Sequence, residues 1–324
     1  EAETDQIALQ FRIAHLRDQR LEDAEGALEG YRDILDSEPS HQETLHALEQ
    51  LIRTDRSAVD AMNVLEPIYQ AAGNWQRLIA AWRDLLGALI DLELQTEYRL
   101  RIARTYLNEL SDQQSAFATY GEAFLGDPTV PEPLEVLHRL SADSHDWLPL
   151  VALLEEQLTR MPADLVARDL YLSLARIHDQ HLADTEKAVA AYVHVRELEP
   201  DHSEALEALD RLYQMQSRWM EMVEVLVDRI ERTDEPKEKL VFFLRLGSVL
   251  GSALEDYDQA VGAYREAMII DPENAEAVSA LEQILEGGYD PVVLSEMLEP
   301  VYTAQDNFAR LAWLGEALLP QVTD

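Results

Sequence analysis

Between Ile7 and Arg20, Phe11, Ile13 and Leu16 fall at helical intervals around the small residue Ala14. The same pattern of apolar and polar positions returns in register with Ala103, Ala175 and Gly247. Seven residues after each of these four anchors stands a Leu (Leu21, Leu110, Leu182, Leu254), and nine after it an Asp (Asp23, Asp112, Asp184, Asp256). Ala follows at thirteen (Ala27, Ala116, Ala188, Ala260) and Tyr at seventeen (Tyr31, Tyr120, Tyr192, Tyr264), an i, i+4 pair on one face of a second helix. The Asp is placed to cap the N-terminus of that helix. Twenty-five residues after the anchor comes a Pro (Pro39, Pro128, Pro200, Pro272), each time behind an acid (Glu38, Asp127, Glu199, Asp271). Pro cannot continue a helix, so the second helix ends there. The pattern predicts helix, turn, helix, four times over.

A third helix starts after each Pro. Its first turn carries Glu43, Glu132, Glu204 or Glu276, where the backbone dipole favours an acid. Ala47, Val136, Ala208 and Ala280 follow, and then a fourth helix, which Trp147 and Trp219 open in the second and third units. An aromatic recurring at the repeat period reads as core packing. Self-similarity of this kind specifies stacked units, each burying its apolar face on its neighbours.

The run of small residue, Ala, aromatic and Pro resembles the tetratricopeptide repeat family, whose units are helical hairpins of about 34 residues. The match is closest from Leu246-Gly247 through Asp256-Tyr257-Asp258-Gln259-Ala260 to Asp271-Pro272. Each unit has one extra residue in its first turn, occupied by the recurrent Leu. The second hairpin of each unit departs further: where the family has a small residue for close helix approach, this chain has Glu49, His138, Asp210 and Glu282. The chain thus resembles a divergent bacterial-type array in which well-formed and degenerate hairpins alternate. The resemblance implies an all-α fold, a right-handed α-α superhelix of about 18 helices.

The anchors are 72 residues apart from 103 to 175 and from 175 to 247, but 89 apart from 14 to 103. The excess lies between Arg56 and Asn74, and its text returns near the C-terminus. Leu65-Glu66-Pro67-Ile68-Tyr69, with Asn74-Trp75 and Arg77-Leu78, matches Leu298-Glu299-Pro300-Val301-Tyr302, with Asn307-Phe308 and Arg310-Leu311, at an offset of 233. A longer period therefore sits above the short one. Residues 1–324 read as a single solenoid with units at about 7–92, 95–162, 165–235 and 237–321. The interrupted second cycle, and a start at Glu1 without Met, point to a piece of a longer array. An odd additional helix reverses the direction of all that follow, and Pro67 and Pro300 are expected to bend or break their helices.

Charge changes the picture more than composition does. The 63 acidic and 26 basic residues leave a net charge of −37, a field that repels nucleic acid and anionic membranes and attracts basic partners. It also keeps a large solenoid dissolved. Without Cys there are no disulfides, thiolate metal sites or Cys nucleophiles. That fits cytoplasm and periplasm alike, with the cytoplasm preferred. Apolar stretches such as Leu85 to Ile90 are too short to insert in a bilayer.

Candidate chemistry is sparse. His178-x-x-His181, near Asp179 and Asp184, has metal-ligand spacing but no further ligand, so both read as ordinary solvent-facing His. His41 and His202 share one repeat position, two after the Pro. No phosphate-binding loop, H-E-x-x-H or nucleophile elbow occurs, so no catalytic, cofactor or metal residue is assigned and the chain reads as a non-enzyme. The tetratricopeptide resemblance implies that the residue after each small position lines a concave groove. Carried over, those positions are His15, Gln50, Arg104, Arg139, Arg176, Arg211, Ser248 and Gln283. Arg104, Arg139, Arg176 and Arg211 thus form a periodic row suited to carboxylates of a partner. Glu135 and Glu207 stand four residues before Arg139 and Arg211, as helix-stabilising pairs would require.

The expected protein is a non-catalytic scaffold that binds a peptide or partner protein through the groove or an exposed face. It would bind no nucleic acid and could self-associate through its array ends. The alternatives are a regulatory or sensor region of a larger multidomain enzyme and a self-assembling structural component.

Overall fold

The computed structural model describes residues 2–54 and 57–322, and those residues form eighteen helices and no strand. Glu1, Arg56 and Asp324, which bounded parts of the sequence reading, lie outside the described residues. The chain divides into two compact units between Arg160 and Met161. The first contains α1 (Ala2–Leu21), α2 (Ala24–Ser37), α3 (Gln42–Thr54), α4 (Ala58–Ala71), α5 (Trp75–Ala88), α6 (Leu92–Asn108), α7 (Gln113–Gly126), α8 (Pro131–Ser144) and α9 (Leu148–Arg160). The second contains α10 (Leu165–Gln180), α11 (Thr185–Leu198), α12 (Ser203–Met215), α13 (Trp219–Arg232), α14 (Pro236–Ser252), α15 (Tyr257–Ile270), α16 (Ala275–Glu286), α17 (Pro291–Ala304) and α18 (Phe308–Val322).

The repeated Asp does what its position requires. Asp23, Asp112, Asp184 and Asp256 each accept a backbone N–H from three residues on, at 3.0, 3.0, 3.2 and 3.1 Å, capping α2, α7, α11 and α15. The residue just before each cap is left-handed without being Gly: Glu22, Ser111, Ala183 and Glu255 have φ of 52°, 53°, 52° and 55°. Each capping Asp donates its own N–H to the carbonyl six residues back, at 2.8–3.1 Å. The long turn is therefore closed by hydrogen bonds, which offsets the cost of a left-handed L-residue.

The anchors fix the hairpin spacing. Ala14, Ala103 and Ala175 are at most 1% exposed, and opposite them Tyr31, Tyr120, Tyr192 and Tyr264 are at most 4% exposed. At the fourth anchor a Cβ on Gly247 would lie 2.8 Å from the Tyr264 ring, so that ring sits closer to its partner helix than an Ala would allow. Burial pushes the Tyr192 and Tyr264 hydroxyls up to about 12, so both remain protonated donors at neutral pH.

The helices run through the internal prolines, against the expectation of a break: α4 continues across Pro67 and α17 across Pro300. Both prolines, and Asn63 and Glu296 four residues earlier, are exposed. At exposed positions water can satisfy the carbonyl that each proline leaves without a donor. Trp219 opens α13 and Trp147 directly precedes α9, both half-buried.

Candidate partner-binding site

The second hairpins carry large polar residues where close approach calls for small ones, and the structure gives each acid there a partner. Glu49 on α3 accepts from the Tyr69 hydroxyl at 2.7 Å and from Arg77 at 3.0 Å. Glu282 on α16 accepts from Tyr302 at 2.6 Å and pairs with Arg310 at 3.1 Å. Asp210 on α12, nearly inaccessible, faces Arg245 at 2.8 Å and Arg229 at 3.3 Å. Burial pushes its carboxyl up, while the two guanidinium groups pull it back part of the way. His138 lies edge-on to Trp147, with ring centroids 6.0 Å apart.

The four arginines of the row divide two and two between the units. In the first unit Arg104 on α6 reaches Glu132 on α8 through two nitrogens, the Nε bond being 2.7 Å. The Tyr120 hydroxyl lies 3.5 Å from the same carboxylate. Arg139 on α8 is exposed and has no ion pair among the described residues; its charge, like that of Arg104, acts on Tyr120. In the second unit Arg176 on α10 grips Glu204 on α12 in the same two-nitrogen manner, with the Nε bond at 2.6 Å. Arg211 on α12 bonds back to Asp179 on α10. Arg104 and Arg176 hold Glu132 and Glu204 below the usual carboxylate range. Each unit thus brings two of the arginines to one buried repeat tyrosine.

The carboxylates of these pairs were visible in the sequence only as acids of a first helical turn. Glu132 and Glu204 stand 28 residues after Arg104 and Arg176, and that constant spacing between two recurring charges was the signal for a bond across hairpins. The first copy replaces the pair. His15 lies 3.5 Å from the Tyr31 hydroxyl and stacks on Phe11, while Glu43 turns to His41 at 3.6 Å. In the last copy Ser248 and Gln283 line a cavity of about 450 Å³ instead of carrying a salt bridge.

His41 and His202 serve as caps: their Nδ1 atoms accept from the N–H of Thr44 and Ala205, both at 3.3 Å. His178 corrects the expectation of a solvent-facing ring. It lies three residues after Ala175, on the packed face of α10, and is 2% exposed, whereas His181 ends the helix in solvent. Among the described residues no three His, Asp or Glu side chains are grouped as a metal ligand set. No described helix is long and apolar enough to cross a membrane.

No family model matches the chain, and no curated protein matches its sequence. Among solved structures the chain is similar to the C-terminal part of a TPR repeat-containing protein from Cytophaga hutchinsonii, with 14% identity, 78% of this chain and 98% of that one covered, and a TM-score of 0.34. It is also similar to the TPR2AB domain of yeast Sti1 in its complex with pHSP90, with 12% identity over 93% of this chain and 99% of that one, at a TM-score of 0.27. A tetratricopeptide repeat protein from Parabacteroides merdae aligns with 14% identity, 90% and 97% coverage and a TM-score of 0.27. Superposition this loose carries no argument about function. The chain's own hairpins show the fold: small anchors under buried tyrosines, capped second helices and Pro-terminated ends form an all-α array of TPR-like helical hairpins.

Proposed function

We propose that this tetratricopeptide-type array is a non-catalytic scaffold that binds an extended segment of a partner protein. The observation that carries the reading is the register itself. One position, next to one buried tyrosine, is presented four times with the scaffold held constant and the exposed group varied through His15, Arg104, Arg176 and Ser248. Stability asks only that the tyrosine and the small anchor recur. Variation at the exposed position is what a surface reading successive parts of a ligand would use. Arg104, Arg139, Arg176 and Arg211 contribute by taking a partner's carboxylates. Arg139 leads, because its charge is uncompensated; the other three must exchange Glu132, Glu204 or Asp179 for the incoming group.

The test is affinity capture with the 324-residue chain, followed by titration of the captured protein against the same chain at two salt concentrations. Saturable binding that weakens with salt supports the reading, since exposed pairs are screened over about 8–10 Å. Absence of saturable binding, or chemical conversion of the captured protein, overturns it.

A second reading, self-association, has one observation in its favour. Leu9, Ile13 and Leu16 of α1 are 60%, 46% and 47% exposed along one stripe. Two chains of −37 repel, so contact through this stripe would strengthen with added salt. Light scattering across protein and salt concentration reads that directly.

A further inference from the structure

Within the second unit the same place in the register is filled in one copy and open in the next. Around Tyr192, Arg176 reaches Glu204 and Arg211 reaches Asp179. Seventy-two residues on, Arg176 becomes Ser248, Asp179 becomes Gly251 and Arg211 becomes Gln283, whereas Tyr192 and Glu204 return as Tyr264 and Glu276. Two arginines and an aspartate are removed, and the acid that received a guanidinium is kept. The space they vacate is the cavity of about 450 Å³ between α14, α15 and α16.

Its walls have a definite chemistry. Glu276 makes no hydrogen bond or ion pair among the described residues, and its charge falls on the Tyr264 hydroxyl. The hydroxyls of Ser248 and Ser252 and the amide of Gln283 line the rest, with Tyr257 exposed at the edge. No Lys, Arg or His lines the cavity. An anion entering it would meet a carboxylate with nothing to balance it. A cation would meet one charge, several oxygen acceptors and two tyrosine rings.

We propose that this cavity takes the guanidinium of an arginine presented by a partner segment, in the place where the preceding copy holds its own Arg176. The proposal rests on the scaffold reading and names the chemistry of its partner. The chain itself supplies the template: Arg104 on Glu132 and Arg176 on Glu204 are two-nitrogen pairs beside a repeat tyrosine, and Ser248 with Glu276 is that arrangement lacking its arginine. A planar fork satisfies both carboxylate oxygens and stacks on an aromatic face, which a lysine ammonium does not. The net charge of −37 draws a basic segment toward the surface. The larger cavity, about 730 Å³ and walled partly by Arg229, Arg232 and Lys237 with Glu207 and Glu238, mixes both charges and selects neither.

The experiment titrates the 324-residue chain with labelled ten-residue Gly/Ser peptides carrying one central Arg, Lys, citrulline or Ala. Two substitutions accompany it: Glu276→Gln removes the acceptor charge, and Ser248→Arg restores the internal guanidinium. The arginine peptide binds saturably, and the other three bind more weakly by up to about fivefold. Each substitution weakens the arginine peptide by up to about fivefold, as loss of an exposed two-nitrogen pair requires. Circular dichroism and the melting temperature confirm the fold, and Gln283→Arg replaces Ser248→Arg if the latter does not fold. Equal binding of the lysine peptide, unchanged binding after both substitutions, or no saturation overturns the proposal. A captured partner that still binds both substituted chains removes the arginine pocket and leaves the scaffold reading standing.

Discussion

The Tyr69 hydroxyl donates to the Glu49 carboxylate, and 233 positions later Tyr302 donates to Glu282 in the same way. An arginine from the following helix completes each site, Arg77 in one and Arg310 in the other. These two degenerate hairpins are therefore rebuilt rather than loosened. An acid at the position of close approach is held by a buried phenol on the partner helix and a guanidinium beyond it. The longer period in the sequence is the period of this triad.

Tyr69→Phe should cost about 1.5–3 kcal/mol, the range for a hydrogen bond to a charged group, because Glu49 keeps Arg77. Tyr302→Phe should cost about the same. Urea denaturation measures both, and a loss below about 0.5 kcal/mol in each would show that the phenol adds nothing beyond its ring.

Asp210 offers a sharper contrast. Arg229→Ala combined with Arg245→Ala leaves a nearly inaccessible carboxylate without either cation, and should cost about 3–5 kcal/mol. Asp210→Ala restores the small residue of a close-packed hairpin and frees two arginines to reach water, so it should cost less than half as much. Equal losses would mean that Asp210 contributes through packing and not through its pairs.

Most of the fold was legible because it rests on residues whose local roles are fixed by backbone chemistry. Asp256 caps, Pro272 follows the end of α15 and Tyr264 packs on Gly247, and each role needs only the residue's own helix or hairpin. The candidate site was half legible. A shared register placed Arg104 and Arg176 correctly on their helices, but their bonds to Glu132 and Glu204 join separate hairpins, which no helical period encodes. His178 was misread for a related reason: an imidazole is as compatible with a packed face as with water, and only its distance from Ala175 decides. Pro67 was read as bending or breaking its helix because the rule concerns the lost donor; α4 runs on without a break, and exposure of Asn63 sets the cost of losing that donor.

The left-handed turn residues can be relaxed. Ala183 and Glu255 hold φ of 52° and 55°, where Gly avoids a Cβ clash worth roughly 1–2 kcal/mol but loses some 0.5–1 kcal/mol through its freer unfolded chain. Ala183→Gly with Glu255→Gly should therefore stabilise the second unit by about 1 kcal/mol in total. A lower denaturation midpoint would indicate that Cβ contacts outweigh the backbone strain.

Stability should fall on the alkaline side. Burial raises the hydroxyls of Tyr31, Tyr69, Tyr192, Tyr264 and Tyr302, with Tyr192 and Tyr264 pushed up to about 12. Above about pH 10 the unfolded chain loses these protons and the folded chain keeps them, so stability is fully present below that pH. Each such tyrosine then removes up to about 1.4 kcal/mol per pH unit until its folded-state value is reached. Denaturation midpoints from pH 8 to 11 should be level and then drop, and a flat profile would place the phenols in water.

Arg139 separates binding from folding most cleanly. It is exposed and has no ion pair among the described residues, so Arg139→Ala should leave the melting temperature unchanged. Arg104→Ala with Arg176→Ala breaks two exposed pairs, each worth about 0.2–1 kcal/mol, and should lower stability slightly. If the row takes a partner's carboxylates, Arg139→Ala weakens binding of the captured partner about tenfold at low salt, and the double substitution weakens it by less. The stability of the three chains orders them one way and affinity another, because the strongest internal pairs are the least available to a ligand. Undiminished partner binding by Arg139→Ala would assign the row to the scaffold and leave the cavity at Glu276 as the place to look for contact.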